Sequence, residues 1–156
     1  MIIGTRVDHR LVHGQVAFSW VSAVGANCIL VANDAAANND MQMTALKLAA
    51  PQGVKVVVKT IADSVKQINS GVTDKYRLFI VLKTVNDAYQ LLNGCPQIKE
   101  LNVGGTSKTS GSVQITSSVF LNDKDISDLK QLAQKNIEIF AQMVPTDKKI
   151  DLIKRL

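Results

Sequence analysis

A chain of 156 residues with 46% apolar and 20% charged side chains has enough material for one domain with a real core, which excludes a disordered polypeptide. Eighteen Lys and Arg against thirteen Asp and Glu leave a net charge of +5, which favours anionic partners. With 4% aromatic residues and no block of five basic ones, a nucleic-acid surface is not indicated. No apolar run reaches the roughly 18 residues of a membrane span, and the N-terminus lacks the basic and apolar regions of a signal peptide, so a cytoplasmic setting is expected.

Residues 2–7 are rich in β-formers and read as the first strand, which ends at Asp8-His9-Arg10. Val16, Ala17, Trp20, Val21 and Val24 recur at helical spacing, so 14–24 is a helix with Gly25 as its C-cap. Residues 28–31 are a buried strand stopped by Asn33-Asp34. A helix over about 38–50 ends at Pro51 and Gly53. Strands are expected over 54–59, 76–82 and 98–103, separated by helices over 61–69 and 85–92. The fifth strand runs into Gly104-Gly105. Residues 106–112 are small and polar, a loop by composition, and 114–116 and 119–121 read as one or two short strands. Asn122 is a plausible N-cap for a helix to about Lys135. A strand over 137–141 and a helix over 145–156 close the chain, with Lys148-Lys149 and Lys154-Arg155 on a solvated helix face. Strands alternating with helices make βαβ units. The expected fold class is α/β: a single open, mostly parallel sheet of about seven strands with helices on both faces, one domain over residues 1–156.

Ligands of such sheets sit outside the carboxyl ends of the strands. Five post-strand segments are therefore candidates: 8–13, Asn33-Asp34, Thr60, Lys83-Thr84 and 104–109. The first is chemically richest, with Asp8, His9, Arg10 and His13 just before a helix. If that helix begins at Gly14, the free N–H groups of Gly14, Gln15 and Val16 face an anion on His13. Gly14 has no Cβ to block a close approach. Arg10 offers a planar set of donors to phosphate oxygens, and Asp8 orients the imidazole or braces Arg10. Such a site suits phosphoryl transfer, which needs positioning and charge neutralisation. Asn33, Asp34, Lys83, Thr84, Gly104, Gly105 and Thr106 are candidate lining residues by strand-end position alone.

Other chemistries fit less well. His9 and His13 are four apart, but there is no third His, no H-E-x-x-H glutamate and no nearby Cys, so no metal is expected. The segment from Gly104 fails the G-x-x-x-x-G-K-(S/T) spacing of a nucleotide phosphate loop, and neither G-x-G-x-x-G nor G-x-S-x-G is present. No cofactor is expected. Cys28 and Cys95 make no C-x-x-C or paired framework and read as structural thiols.

The stretch Arg6-Val-Asp-His-Arg-Leu-Val-His-Gly-Gln-Val16 resembles the R-(I/V)-D-x-R-L-(I/L)-H-G-Q-V signature of the enzyme IIB subunits of bacterial sugar phosphotransferase systems of the mannose–fructose–sorbose type. The similarity continues through Trp20, Val31-Ala-Asn-Asp34, Ala49-Ala-Pro51, Leu101-Asn-Val-Gly-Gly105 and Gln142-Met-Val-Pro145, which covers nearly the whole chain. The resemblance implies that His13 accepts a phosphoryl group on Nδ1 from a phosphohistidine of a IIA protein or domain. His13 then passes it to a sugar bound by the membrane subunits IIC and IID, so the subunit works at the cytoplasmic face of the permease. Arg10 and Asp8 match the arginine and aspartate of the signature. N-acetylgalactosamine is the leading sugar, with mannose, fructose and sorbose as alternatives. His9 falls at the signature's free position and is expected to face solvent from its loop. Two other classes compete: a non-catalytic module that binds a small phosphorylated ligand at the same strand ends, and a nucleic-acid binder resting only on the +5 charge.

Overall fold

The computed structural model describes residues 1–156. The strands are β1 (Ile2–Asp8), β2 (Cys28–Ala32), β3 (Lys55–Lys59), β4 (Leu78–Leu82), β5 (Glu100–Gly105), β6 (Val113–Gln114), β7 (Phe120–Leu121), β8 (Glu138–Ala141) and β9 (Ile150–Asp151). The helices are α1 (Gly14–Val24), α2 (Asp34–Ala37), α3 (Asp40–Leu48), α4 (Ile61–Ser70), α5 (Val85–Gly94) and α6 (Asp123–Gln134). Seven strands form one sheet in the order β3-β2-β4-β1-β5-β8-β9, parallel except for β9 against β8. β6 and β7 pair apart as an antiparallel hairpin.

Period-two alternation decides which face each side chain joins. Cys28, Leu30 and Ala32 of β2 and Leu78, Ile80 and Leu82 of β4 point into one apolar cluster with α4, α5 and α6. Ile29, Val31, Phe79 and Val81 point into a second cluster with α1, α2 and α3. Both strands are buried along their whole length, as expected of a parallel sheet covered on both sides. β1 and β5 break the pattern on the α1 side. There Arg6, Asp8 and Asn102 are buried polar residues, while Val7, Leu101 and Val103 fill the opposite core.

Several helix starts follow from their N-caps. The hydroxyls of Thr60 and Thr84 accept from the N–H groups of Asp63 and Asp87. Asn122 and Asp125 form a reciprocal capping box. Gly25 ends α1 with a left-handed φ of 72°, which suits glycine. Two segments differ from expectation. The helix expected over 38–50 is present as α3, and a short helix, α2, that was not expected precedes it. Asn33 and Asn39 each accept from an N–H three residues on, so each starts a helix of its own. The helix expected over 145–156 is instead a turn, the short strand β9 and a 3-10 turn over Ile153–Arg155. β8 would otherwise be a bare sheet edge, and β9 pairs with it while Leu152 drops fully into the core. Lys148 and Lys149 precede β9 and lie on no helix, Lys154 and Arg155 belong to the 3-10 turn, and Lys149 covers the Phe140 ring at 4.3 Å.

Cys28 and Cys95 are free and buried. Burial pushes the Cys95 thiol up to about 11 from its ordinary value near 9. The folded state therefore holds the proton through a range in which the unfolded chain releases it. Stability should fall as pH rises from about 9 through 11, because the unfolded state then binds fewer protons. Urea titrations across that range should show a falling midpoint, with a shallower fall in Cys95→Ala.

Chain path fixes the place of the site. From β1 the chain moves toward β3, with α1, α2 and α3 packed on one face of the sheet. It then returns past β1, with α4, α5 and α6 on the other face. β1 and β5 are neighbours, yet the chain leaves them toward opposite faces. Their carboxyl ends therefore part and leave a crevice.

Candidate functional site

The loop from Asp8 to α1 is held from below and open above. Leu11 and Val12 are each 5% exposed and pack in the core with Trp20, Ile29 and Phe79. Arg10, His13 and Gly14 on either side of them are exposed. Val12 stands where the motif has Ile or Leu, and it fills the same apolar role. Leu11 has a left-handed φ of 60°, a conformation costing a leucine about 1–2 kcal/mol. Burying its side chain contributes about 1.5–3 kcal/mol and offsets that cost. Gly14 has φ 44°, and a Cβ there would meet nothing within 4 Å. Glycine is favoured at this position by backbone conformation, not by crowding from the protein.

His13 is the N-cap of α1 in extended conformation, and its side chain makes no cap bond. The first helical bond runs from the N–H of Ala17 to the His13 carbonyl at 3.2 Å. The N–H groups of Gly14, Gln15 and Val16 therefore precede the ladder and point outward from the helix end. Asp8 is 2% exposed and organises the loop. Its Oδ1 accepts from the Arg10 N–H at 3.0 Å, and its Oδ2 accepts from Arg6 Nη2 at 3.3 Å. The Arg10 guanidinium lies 3.8 Å from Asp8 Oδ1 and is 41% exposed, so it remains open to an anion.

Arg6 is the anchor beneath this loop, a role that spacing alone does not reveal. Its Nη1 donates to the Gln142 carbonyl at 2.7 Å and its Nη2 to the Met143 carbonyl at 2.9 Å. Trp20 Nε1 donates to the same Met143 carbonyl at 2.9 Å, and Asn102 donates to that of Gln142 at 3.0 Å. The guanidinium lies over the Trp20 ring at 5.2 Å. Burial pushes Arg6 below its ordinary value, and the charge and hydrogen bond of Asp8 oppose that shift. A Cβ at Gly104 would overlap the guanidinium, so glycine there makes room for Arg6. The one available sequence signal is a charged residue inside a strand that is otherwise buried, since such a charge needs a partner.

Beside the loop, the crevice between β1 and β5 opens into a cleft of about 480 Å³. Asp8, His9, Arg10, Gly104, Gly105 and Thr106 line it, with further walls from Lys108 and the β6–β7 hairpin. His9 departs from expectation. Its N–H donates to the Gly105 carbonyl at 3.0 Å, which turns the ring inward. Its Nδ1 is buried 4.0 Å from Asp8 Oδ1 with no hydrogen-bond partner. The side chain is thus a cleft wall and not a freely solvated loop residue.

The remaining strand-end candidates lie elsewhere. Asn33, Asp34, Lys83 and Thr84 are not among the cleft residues. The Asn33 amide donates to Asp87 at 2.8 Å, and Asp34 accepts from the Ile61 N–H at 2.8 Å. Thr84 caps α5, and Lys83 is exposed. Asn33 and Asp34 thus join neighbouring helix starts to one another, and Thr84 is occupied in capping its own helix.

Comparison with known proteins gives the family of the chain. The family model described as the sorbose subfamily IIB component of the phosphotransferase system matches residues 2–156. An N-acetylgalactosamine-specific phosphotransferase enzyme IIB component 1 of Escherichia coli K12 is 34% identical over 149 residues, covering 95% of this chain and 94% of that protein. A mannose-specific EIIAB component of the same organism is 32% identical over 160 residues, covering 100% of this chain and 50% of its own length. Among solved structures, the IIBSor domain of the sorbose permease from Klebsiella pneumoniae superposes with a TM-score of 0.94 at 28% identity, over 99% of this chain and 95% of that one. The chain belongs to the IIB components of the mannose–sorbose family of the phosphotransferase system, which are sugar phosphotransferases and phosphocarriers.

Proposed function

We propose that His13 is the phosphoryl carrier of this IIB component. It takes the group from a phosphohistidine of a IIA partner and gives it to a sugar held by the membrane subunits IIC and IID. Family membership implies those partners. No helix of the chain is long and apolar enough to cross a membrane, so the reading has it docking at the permease from outside the bilayer. The observation that carries the proposal is the loop itself. An exposed imidazole with no internal partner stands on the free N-terminus of α1, in the same loop as the open guanidinium of Arg10.

The chemistry follows from that geometry. A neutral imidazole nitrogen of His13 attacks the phosphorus, and the P–N bond to the donor histidine breaks. The incoming dianion meets the free N–H groups at the start of α1 and the Arg10 guanidinium. In onward transfer a sugar hydroxyl oxygen bonds to the phosphorus as the P–N bond to His13 breaks, and the hydroxyl proton passes to the departing imidazole or to solvent. Asp8 does not touch the group; it fixes the Arg10 backbone and so the loop. Arg10→Ala should slow phosphorylation on the order of 10- to 100-fold by removing one preorganised donor. Its melting temperature should barely change, because the side chain is 41% exposed and its nearest partner is 3.8 Å away. Stopped-quench kinetics with phosphorylated IIA measures the first effect.

The test is incubation with a phosphorylated IIA protein, read by intact mass. Wild type and His9→Ala should gain one acid-labile phosphoryl group. No gain with any cognate IIA would favour the alternative of a non-catalytic phosphate-binding module. N-acetylgalactosamine is the proposed sugar, supported by the 34% identity to the Escherichia coli component of that specificity. Membranes carrying the cognate IIC and IID should then phosphorylate it faster than mannose, fructose or sorbose. Preference for one of those three would reassign the sugar and leave the phosphocarrier role intact.

A further inference from the structure

The cleft beside the His13 loop has more hydrogen-bonding capacity than transfer between two imidazoles uses. Only two of its thirteen lining residues, Phe120 and Met143, are hydrophobic. Arg6, Arg10 and Lys108 stand against a single carboxylate, Asp8. Asp8 and Arg6 are committed to each other and to the backbone. The charge that faces the open space is therefore that of Arg10 and Lys108.

Two of the hydroxyls are structural. Thr106 Oγ1 donates to the Phe120 carbonyl at 2.7 Å, and Ser118 Oγ donates to the Gly104 carbonyl at 2.9 Å, which fixes the β6–β7 hairpin as a wall. Ser107 and Ser117 differ: both are exposed and neither hydroxyl has a partner within the chain. His9 has its Nδ1 buried toward Asp8 and Gly105, which leaves Nε2 on the open side of the ring. Two cations, two free hydroxyls and one imidazole nitrogen thus converge on a space of about 480 Å³. That size falls within the roughly 300–1,000 Å³ of small-molecule pockets.

We propose that this cleft binds a phosphorylated hexose, the kind of product released by the reaction. Arg10 and Lys108 take the phosphoryl group, while Ser107, Ser117 and His9 Nε2 meet the sugar hydroxyls. A lining with only two hydrophobic side chains, set among charged groups and hydroxyls, suits a polyol better than a nucleobase or an apolar peptide side chain. The proposal rests on the reading that this chain delivers phosphoryl groups to a sugar. It adds regulation to that reading: product in the cleft occupies Arg10, the donor next to His13, and so competes with loading from IIA.

The experiment is a two-dimensional amide NMR titration of the whole chain with N-acetylgalactosamine 6-phosphate, inorganic phosphate and N-acetylgalactosamine. The sugar phosphate should give saturable shifts at Thr106, Ser107, Lys108 and Ser117. Inorganic phosphate should bind at least about fivefold more weakly, and the unphosphorylated sugar should give no saturable shift. Lys108→Ala with Ser117→Ala should weaken sugar-phosphate binding about tenfold or more, with the rest of the spectrum unchanged. Binding should persist in His13→Ala, which separates it from transfer. Equal affinity for inorganic phosphate, shifts confined to other surfaces, or no effect of the double variant each overturns the assignment. A chain that is phosphorylated normally by IIA but binds no sugar phosphate sinks this proposal alone. A chain that binds sugar phosphate but accepts no phosphoryl group sinks the phosphocarrier reading and keeps the cleft.

Discussion

His13→Ala should lose phosphoryl acceptance from IIA altogether, a fall of at least about a thousandfold, while its melting curve overlays that of the wild type. The first half follows from chemistry. The chain has only two histidines, and removing the nucleophile leaves no group able to form the P–N bond at this position. The second half follows from structure. His13 is exposed, its side chain makes no cap hydrogen bond, and the loop is held by Asp8, Leu11 and Val12. A substitution of that kind shifts stability by no more than about 0.5 kcal/mol. Rapid-quench transfer assays and thermal unfolding on the same preparation check both halves. Loss of activity accompanied by unfolding would mean that His13 holds the loop and that its proposed role is wrong.

Arg6→Ala should be the most destabilising single change near the site, by about 3–5 kcal/mol. The substitution leaves the Asp8 carboxylate buried without its cation and takes donors from the Gln142 and Met143 carbonyls. For a chain of this size that is a drop of roughly 10 °C in Tm. Arg6→Lys should recover little of it. One ammonium cannot span both carbonyls and the carboxylate, nor lie flat over Trp20. Gly104→Ala attacks the same clamp from the other side, since the new methyl needs the space of the guanidinium. Chemical denaturation of the three variants provides the measurement. A change within 0.5 kcal/mol for Arg6→Ala would show that the clamp contributes nothing net.

Local signals were readable where a residue acts on its own neighbours. The apolar spacing from Val16 to Val24, Gly25 as a left-handed cap, and Asn122 before α6 each settle an element within a few residues. The strand-to-helix turn with Asp8, Arg10 and His13 was legible for the same reason. What escaped depends on distance in the chain. Asn33 looks like a strand terminator; its amide is held by Asp87, 54 positions on, while its Oδ1 accepts from the Ala36 N–H and starts a helix. The C-terminal segment has helix-compatible composition, yet the open edge of β8 recruits Ile150 as a strand. Arg6 reaches carbonyls 136 and 137 positions away, which no periodicity encodes. His9 is part exposed, as a loop residue should be, but its Nδ1 is turned inward by Gly105 on a neighbouring strand end, which its own loop does not encode. The cleft needs the fold as well, since its walls come from β1, β5 and the β6–β7 hairpin.

The central claim is that His13, and not His9, carries the phosphoryl group, and peptide mapping of the wild type tests it most directly. Trypsin cuts after Arg6 and Arg10, so the two histidines fall in different peptides, residues 7–10 and residues 11–47. After phosphorylation by IIA and digestion at alkaline pH, the added group should lie on the peptide of residues 11–47 alone. A phosphoryl group on the peptide of residues 7–10 would contradict the assignment and move the carrier to the imidazole in the cleft wall.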